Sequence, residues 1–200
     1  MSGTDISDPD SNIEDKEIVA KLKRGEPTAV VELYNAYVDR IYSLVFHQVA
    51  RDQEAAQDIV QETFLAALKS AGRFHGRSKV YTWLYSIANK KVADFYRRRK
   101  REAKYQAMPS DSQTVEADHS PSGDLLDAGT IESEEQSRAV QATLSSLPLH
   151  YKQVLILKYV EEMPVTEISQ VMGRSPKSVE GLLTRARREL RERLTAQNEG

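Results

Sequence analysis

The chain has 200 residues, of which 40% are apolar and 29% charged, and its formal net charge is −2. Such values are typical of one medium domain or two small ones in a globular protein. Because the chain has no cysteine, disulfides and cysteine-ligated metals are excluded, and its scattered histidines form no helical metal-ligand pair.

The first half of the chain predicts a polar tail followed by helices. Residues 1–15 are acidic and lack periodicity, so we expect them to be disordered. They contain no signal peptide, and no stretch of the chain approaches the roughly 20 apolar residues that span a bilayer, which indicates a cytoplasmic protein without membrane insertion. Apolar residues at helical spacing then predict a short helix near 15–24, a long helix, and a third helix capped by Asp52. A loop at 73–77 precedes a further helix from about 78 to beyond 101.

Polar residues dominate the middle of the chain at 105–134, where Pro, Ser, Gly and Asp interrupt any hydrophobic pattern. This composition predicts a flexible linker between two domains, at 16–104 and 135–196. Helical patterning resumes with a compact helix, a short helix that stops at Gly173 and a last helix from Pro176. No strand or repeat is predicted. The expected fold class is all-α, with two small helical domains joined by a flexible acidic linker.

Charge is distributed unevenly along the chain. Residues 73–104 hold eleven bases against two acids, a balance of +9, whereas residues 105–137 hold eight acids and no Lys or Arg. Residues 174–193 carry seven bases and three acids. Two basic blocks separated by an acidic connector indicate two nucleic-acid contacts on one chain.

The strongest local signal is a helix-turn-helix near the C-terminal end. Ser175 is a good N-cap and Pro176 suits the first helical position, so the last helix would be offered to the major groove of DNA. Side chains near its start avoid the apolar stripe and could reach base edges, while neighbouring arginines suit phosphates. The alternative is an ordinary helical hairpin with a solvated basic face. The candidate duplex-binding residues are Arg174, Ser175, Lys177, Ser178, Glu180, Gly181, Thr184, Arg185 and Arg188.

A second candidate surface interleaves aromatic side chains with a basic run over residues 81–101. Aromatic faces can stack on unpaired bases while basic residues follow the phosphates, which is the chemistry of single-strand binding. Trp83 lies at core spacing and is assigned mainly to structure, and the basic run could serve only to solubilise the helix end. The candidates, expected to be exposed, are Phe74, His75, Arg77, Lys79, Tyr81, Tyr85, Lys90 and Lys91, continued by Arg97 and Arg98.

The third predicted helix carries a different kind of surface. Asp58, Gln61 and Glu62 share a polar face, and Leu65 lies beside them. An acidic face would repel phosphate, so it fits a basic protein surface better than it fits DNA. A merely solvated face is the alternative.

Three stretches of the sequence resemble the sigma-70 family of transcription initiation factors, in its extracytoplasmic-function group. Residues 58–64 (DIVQETF) resemble region 2.2, and residues 74–88 resemble regions 2.3 and 2.4. The segment 147–187, which contains the helix-turn-helix, resembles region 4. The three stretches occur in the order of the family, with a linker of suitable length.

The resemblance implies a role for each surface. The face of Asp58, Gln61, Glu62 and Leu65 would bind the clamp coiled coil of the RNA polymerase β′ subunit, and the second domain would contact the β flap. The loop at 74–79 and the following helix would melt the −10 element of promoter DNA and hold a flipped base. The last helix would read the −35 element as duplex. The acidic linker would lie in the RNA path of the polymerase, and an anti-sigma protein often holds such factors inactive.

The sequence departs from the family pattern at several of these positions. Glu180 and Leu182 stand where many relatives carry basic residues, Lys90 where an Asn is common, and Val80 where an aromatic residue is common. The promoter contacts that basic side chains make at these two positions of the last helix in relatives are therefore not expected in this chain. The departures therefore bear on which promoter sequence is read.

The sequence contains no Ser/His/Asp grouping, nucleophilic cysteine or phosphate-cradling glycine loop, so we predict a protein that is not an enzyme and uses no cofactor or metal. Two other functions compete with the sigma-factor interpretation. One is a stand-alone helix-turn-helix regulator that binds an operator without polymerase. The other is an interaction protein with no DNA role, which would show no salt-dependent DNA affinity.

Overall fold

The computed structural model describes residues 9–106 and 140–198, and the regular structure within these ranges is entirely helical. The all-α prediction is thus confirmed for this part of the chain. The first domain consists of α1 (Pro9–Lys23), α2 (Pro27–Gln48), α3 (Gln53–Ser70), a single 3₁₀ turn (Ala71–Arg73) and α4 (Val80–Gln106). The second domain consists of α5 (140–146), α6 (Leu149–Tyr159), α7 (Val165–Met172) and α8 (Pro176–Asn198).

Helical spacing of apolar residues determines the core of the first domain. Leu33, Ile41 and Leu44 on α2 are fully buried, and they pack with the buried stripe of α3 and with Leu84 of α4. The start of α3 is fixed by Asp52, whose Oδ1 accepts a hydrogen bond from the Ala55 N–H at 3.0 Å. The predicted N-cap is therefore confirmed.

The beginning and the end of the first domain differ from the sequence-based expectation. The disordered tail expected for residues 1–15 is wrong for residues 9–15, because α1 already begins at Pro9. Helix α1 is held against the domain by Val19, which is buried, and by the Tyr37 hydroxyl, which donates a hydrogen bond to the Asp15 carboxylate. At the other end, α4 continues to Gln106, and most of the predicted linker, together with residues 1–8, lies outside the described residues.

The second domain contains the predicted helix-turn-helix. Gly173 ends α7 with φ of 62°, a left-handed conformation that glycine adopts without a Cβ penalty. The chain turns at once into α8, where the Ser175 Oγ accepts a hydrogen bond from the Ser178 N–H at 3.3 Å. The apolar face of α8, with Val179 and Ala186 fully buried, packs against α6 and α7. The N-cap and the turn are as predicted.

The two domains pack closely against each other. Helix α4 lies against α7, and α2 lies against α6, so that the buried residues of both domains form one continuous core. Polar side chains join the domains in the same region, where the Gln153 Nε2 donates to the Gln48 Oε1 at 3.2 Å. We call this interface the seam. The seam could not be predicted from the sequence, because a linker of this composition allows many relative placements of the two domains.

Candidate nucleic-acid interfaces

The N-terminal half of α8 presents an open surface suited to duplex DNA. Lys177, Glu180 and Thr184 follow one another at helical spacing and are exposed, while Ser178 and Gly181 are half-buried. The Thr184 hydroxyl donates to the Glu180 carbonyl oxygen at 3.0 Å, which holds its side chain against the helix. The remaining candidates at and beyond the turn are exposed: Arg174, Ser175, Arg185 and Arg188.

Basic side chains from the turn and from α8 form the rim of this surface. Burial is the main cause that lowers the pKa of His150 on α6, and the nearby positive charges of Arg174 and Arg185 lower it further. Arg188 forms a loose ion pair of 3.8 Å with Glu192 on the solvent side. Exposed pairs of this kind are weak, so Arg188 remains available to a phosphate.

Three aromatic residues of the second candidate surface are buried, so the expectation that they are exposed is wrong. Phe74 is 7% exposed because its ring packs on Trp83, with 4.9 Å between ring centroids. Tyr81 is 6% exposed and Tyr85 is fully buried, because the second domain covers this side of α4. In this arrangement the two tyrosines belong to the seam.

The basic members of the same surface are better exposed. His75 and Arg77 in the loop and Lys90 on α4 are open to solvent. Arg97 and Arg98 continue the surface along α4, where they and their neighbours line an open basic groove that also includes Lys91. Phosphates could be bound along this edge without any change in the packing of the domains.

One residue of the acidic face of α3 is paired with basic side chains of α4. Glu62 forms ion pairs with Lys91 at 3.1 Å and Arg98 at 3.4 Å. The hydrogen bond from Lys91 is the main cause that holds the pKa of Glu62 below its ordinary value. Asp58, Gln61 and Leu65 point to solvent, and Leu65 is 50% exposed.

An apolar patch on α2 borders the α3 face and was missed in the sequence. Val31 is 58% exposed and Tyr34 is 46% exposed. The Tyr34 ring packs on the ring of Phe64, the residue before Leu65, with 5.1 Å between the ring centroids. Apolar residues that fall outside the buried stripe of a helix are the signal that could have identified this patch.

A second apolar feature, also missed, is a groove on the second domain. It has a volume of about 590 Å³ and lies between α5, α6 and α8. Tyr159 and Val160 are exposed at its edge, and Arg187 and Arg191 lie along one side. We call it the α6/α8 groove. Its dimensions and apolar lining suit a helix from another protein.

Two carboxylates of the second domain contact the covered part of α4. Glu167 of α7 pairs with Lys79 at 2.9 Å and accepts a hydrogen bond from the Tyr81 hydroxyl. The hydrogen bond with Glu167 raises the pKa of Lys79. Glu161 accepts a hydrogen bond from the Tyr85 hydroxyl. Burial raises the pKa of Glu161, although this hydrogen bond and the positive charge of Arg40 act to lower it. No sequence signal marked either glutamate.

Within 9–106 and 140–198, no three His, Asp or Glu side chains gather in a way that could hold a metal ion. None of the helices described in these two ranges combines the length and the apolar character needed to cross a bilayer.

Known protein families match both domains. Residues 33–102 match sigma-70 region 2, and residues 137–190 match sigma-70 region 4. The RNA polymerase sigma factor YlaC of Bacillus subtilis is 30% identical over 173 residues, which cover 86% of this chain and 95% of that protein. The ECF RNA polymerase sigma factor SigW of the same bacterium is 28% identical over 180 residues, covering 90% and 96% of the two chains.

Solved structures share the fold. CnrH, solved in complex with the cytosolic domain of CnrY, aligns over 91% of this chain and 97% of its own, with a TM-score of 0.63 and 24% identity. RpoE from Bartonella quintana, solved with the anti-sigma factor NepR, aligns over 82% and 95%, with a TM-score of 0.60 and 18% identity. The matched regions, their order and the relatives matched over nearly their whole length agree: the chain belongs to the extracytoplasmic-function group of the sigma-70 family of RNA polymerase sigma factors.

Proposed function

We propose that this sigma factor, which binds RNA polymerase core and directs promoter-specific initiation, divides the work between its two domains. The first domain, at 16–104, would bind the polymerase and the opened −10 strand. The second domain, at 135–196, would bind the −35 element as duplex, with the acidic linker at 105–134 between them. The observation that carries this division is the pairing of an open helix-turn-helix face with an aromatic and basic helix on the same chain.

Reading of the −35 element is assigned to the exposed start of α8. Lys177 can donate to purine acceptors, and Glu180 can accept from the amino group of cytosine. Arg174, Arg185 and Arg188 would bind phosphates and so fix the position of the helix without reading sequence. The hydrogen bond of Thr184 to its own helix keeps its methyl group available for an apolar contact with thymine.

Melting of the −10 element is assigned to the loop and α4 of the first domain. Unstacking a base costs a few kcal/mol, and stacking on an aromatic side chain returns about 1–3 kcal/mol per base. The opened strand would be held by Phe74, His75, Arg77 and Lys79 in the loop and by the tyrosines of α4. Its phosphates would follow Lys90, Lys91, Arg97 and Arg98. The mechanism uses binding energy alone and contains no catalytic step, so the protein is not an enzyme.

Contact with the polymerase is assigned to two surfaces. The face of Asp58, Gln61, Glu62 and Leu65 would bind the clamp coiled coil of the β′ subunit, and the apolar patch of Val31 and Tyr34 would extend it. The α6/α8 groove would receive the β flap, because an apolar floor with Arg187 and Arg191 at its side fits an amphipathic helix with acidic residues.

The groove can be tested with Val160→Asp, which places a charge at its exposed edge. We expect transcription from promoters that need the −35 element to fall by about tenfold, because an unpaired carboxylate in an apolar contact costs more than 1 kcal/mol. Binding of the chain to core through the first domain should persist. Val30→Asp, a matched change at a partly exposed valine of α2, should leave −35 dependence unchanged. A normal −35 dependence in Val160→Asp would remove the flap assignment.

The chain is also a candidate target of an anti-sigma protein. Among solved structures of similar fold, the sigma factor RpoE was solved in complex with the anti-sigma factor NepR, and CnrH with the cytosolic domain of CnrY. We infer that this chain has an inhibitor of its own and works in the cytoplasm, where polymerase and DNA are found.

Run-off transcription tests the proposal. Core polymerase of the source bacterium and fragmented genomic DNA are incubated with and without the purified chain, and the 5′ ends of the transcripts are mapped. We expect a set of start sites that appears only with the chain and shares sequence elements near −10 and −35. A chain that binds duplex DNA tightly by itself and directs no transcript would instead be a stand-alone regulator.

A further inference from the structure

Gly181 lies inside α8, within the surface that we assign to duplex DNA. Glycine is unfavourable in a helix interior, because it gives up more backbone freedom on folding than any other residue and adds no side chain to the packing. The φ angle of Gly181 is not positive, so its backbone conformation is one that any residue can adopt. The conformation of α8 therefore gives no reason for a glycine at this position.

The packing of the second domain gives no reason for it either. Among the described residues, the nearest contact of a Cβ atom at position 181 would be the Nη1 of Arg185, at 3.9 Å. This is ordinary van der Waals contact with the end of a flexible side chain. The core side of the helix is filled by the neighbouring Leu182 and Leu183, which are buried. An alanine would thus fit the folded domain and would favour the helix.

Two rows of side chains cross at Gly181 on the surface of α8. Residues three and four apart are neighbours on a helix. One row consists of Ser178, Gly181 and Thr184, and the other consists of Lys177, Gly181 and Arg185. The first row is short, whereas the second has a long basic side chain at each end. These four side chains surround a shallow depression over the Gly181 Cα, which we call the α8 notch.

The groups around the α8 notch match the major-groove edge of thymine. The Thr184 hydroxyl is bonded to the Glu180 carbonyl oxygen, which leaves the Thr184 methyl group for a ligand. This methyl group and the Gly181 Cα form an apolar surface, and the Ser178 hydroxyl nearby can donate a hydrogen bond. Thymine presents a C5 methyl group beside the O4 acceptor, a combination that no other DNA base offers.

The short side chains at the centre of this surface require the helix to lie close to the bases. Ser178 and Thr184 reach less far than Lys177 and Arg185 at the ends of the other row. A Cβ atom on residue 181 would hold the backbone away from the base edges. Glycine is the residue that lets a backbone approach a ligand most closely.

We propose that Gly181 is a specificity-determining residue, whose α8 notch admits the methyl group of one thymine of the −35 element while Ser178 donates a hydrogen bond to O4 of the same base. The inference rests on the proposed function of α8 and deepens it by naming the base pair that this part of the helix selects. A cytosine at the same place would present an amino donor and no methyl group, and a uracil would present O4 without the methyl group.

Deoxyuridine substitution tests the methyl contact without changing the base pairing. A promoter mapped by run-off transcription is synthesised with each −35 thymine in turn replaced by deoxyuridine. The concentration of holoenzyme, formed from core and the full chain, that gives half-maximal transcript is then measured. For the wild-type chain we expect a position at which this concentration rises about fourfold, as the loss of one buried methyl group predicts.

Gly181→Ala should weaken use of the unsubstituted promoter by about tenfold and abolish the difference between thymine and deoxyuridine at that position. The added methyl group would fill the α8 notch, so that the thymine methyl group no longer has a place there. The same change should raise the midpoint of thermal unfolding by about 1–4 °C, because alanine favours the helix. Weaker promoter use by a more stable chain cannot come from damage to the fold.

Gly72→Ala is the matched control. Gly72 is exposed in the first domain, its φ is not positive, and a Cβ atom there would have no neighbour within 4 Å among the described residues. This variant should use the unsubstituted promoter like wild type and should retain the fourfold effect of deoxyuridine.

The outcomes separate the inference from the proposed function. If no deoxyuridine position affects the wild-type chain, or if Gly181→Ala discriminates thymine from deoxyuridine as wild type does, the α8 notch does not read thymine and the proposed function stands. A lower unfolding midpoint in Gly181→Ala would also overturn the inference, because the glycine would then serve the fold. If wild type directs no transcript from any template, the proposed function fails and the inference fails with it.

Discussion

Asp58→Arg is expected to weaken binding of the chain to core RNA polymerase by at least about tenfold, as an interface residue facing a basic surface should. Asp58 is exposed on α3, one turn before Gln61 and Glu62. Its replacement should leave the folded domain intact, because its side chain lies on the solvent face of the helix. Affinity is measured by titrating labelled core with the chain, and stability by thermal unfolding.

Asp39→Arg is the matched control, since it reverses the charge of another exposed acid in the same domain. It should bind core like wild type. Glu62→Arg is a poorer test, because it would place a third positive charge beside Lys91 and Arg98 and lower stability as well as binding. Normal core affinity in Asp58→Arg would remove the α3 face from the polymerase interface.

Lys177→Ala is expected to change which −35 sequences are used, with a loss of about 1–3 kcal/mol at the base pair that Lys177 contacts. The side chain is exposed in the first turn of α8 and faces away from the buried stripe. Promoter libraries randomised over the −35 element and scored by run-off transcription measure the preference. Core binding should not change.

Arg188→Ala provides the comparison within the same helix. Because Arg188 is assigned to phosphate, its loss should weaken all −35 sequences by a similar factor and reduce the salt dependence of binding. An unaltered preference in Lys177→Ala would show that this residue does not read sequence. The α8 face would then bind DNA only through phosphates.

The helices and the turn could be predicted from the sequence because their causes are local. Apolar spacing placed Leu33 and Ile41 in the core, and both are fully buried. The caps at Asp52 and Ser175 depend on side chains within three residues of the groups they bind. Such features are decided by the nearest neighbours in the chain.

The relations between the domains could not be predicted in this way. Glu161 and Glu167 look like ordinary surface acids in the sequence. Their hydrogen-bond partners Tyr85 and Tyr81 lie 76 and 86 residues away along the chain, respectively. Aromatic residues that suit DNA stacking suit burial equally well. The expectation that Tyr85 is exposed is therefore wrong, and its assignment to −10 DNA remains a prediction.

The measurement that tests the central claim most directly is permanganate reactivity of promoter DNA at a start site mapped by run-off transcription. Unpaired thymines react, so the assay reports opening of the −10 element. With core and this chain together, thymines near −10 should become reactive while the −35 region stays duplex. Core alone and the chain alone should leave the DNA closed. A −10 element that stays unreactive with both present, or that opens without core, would contradict the account.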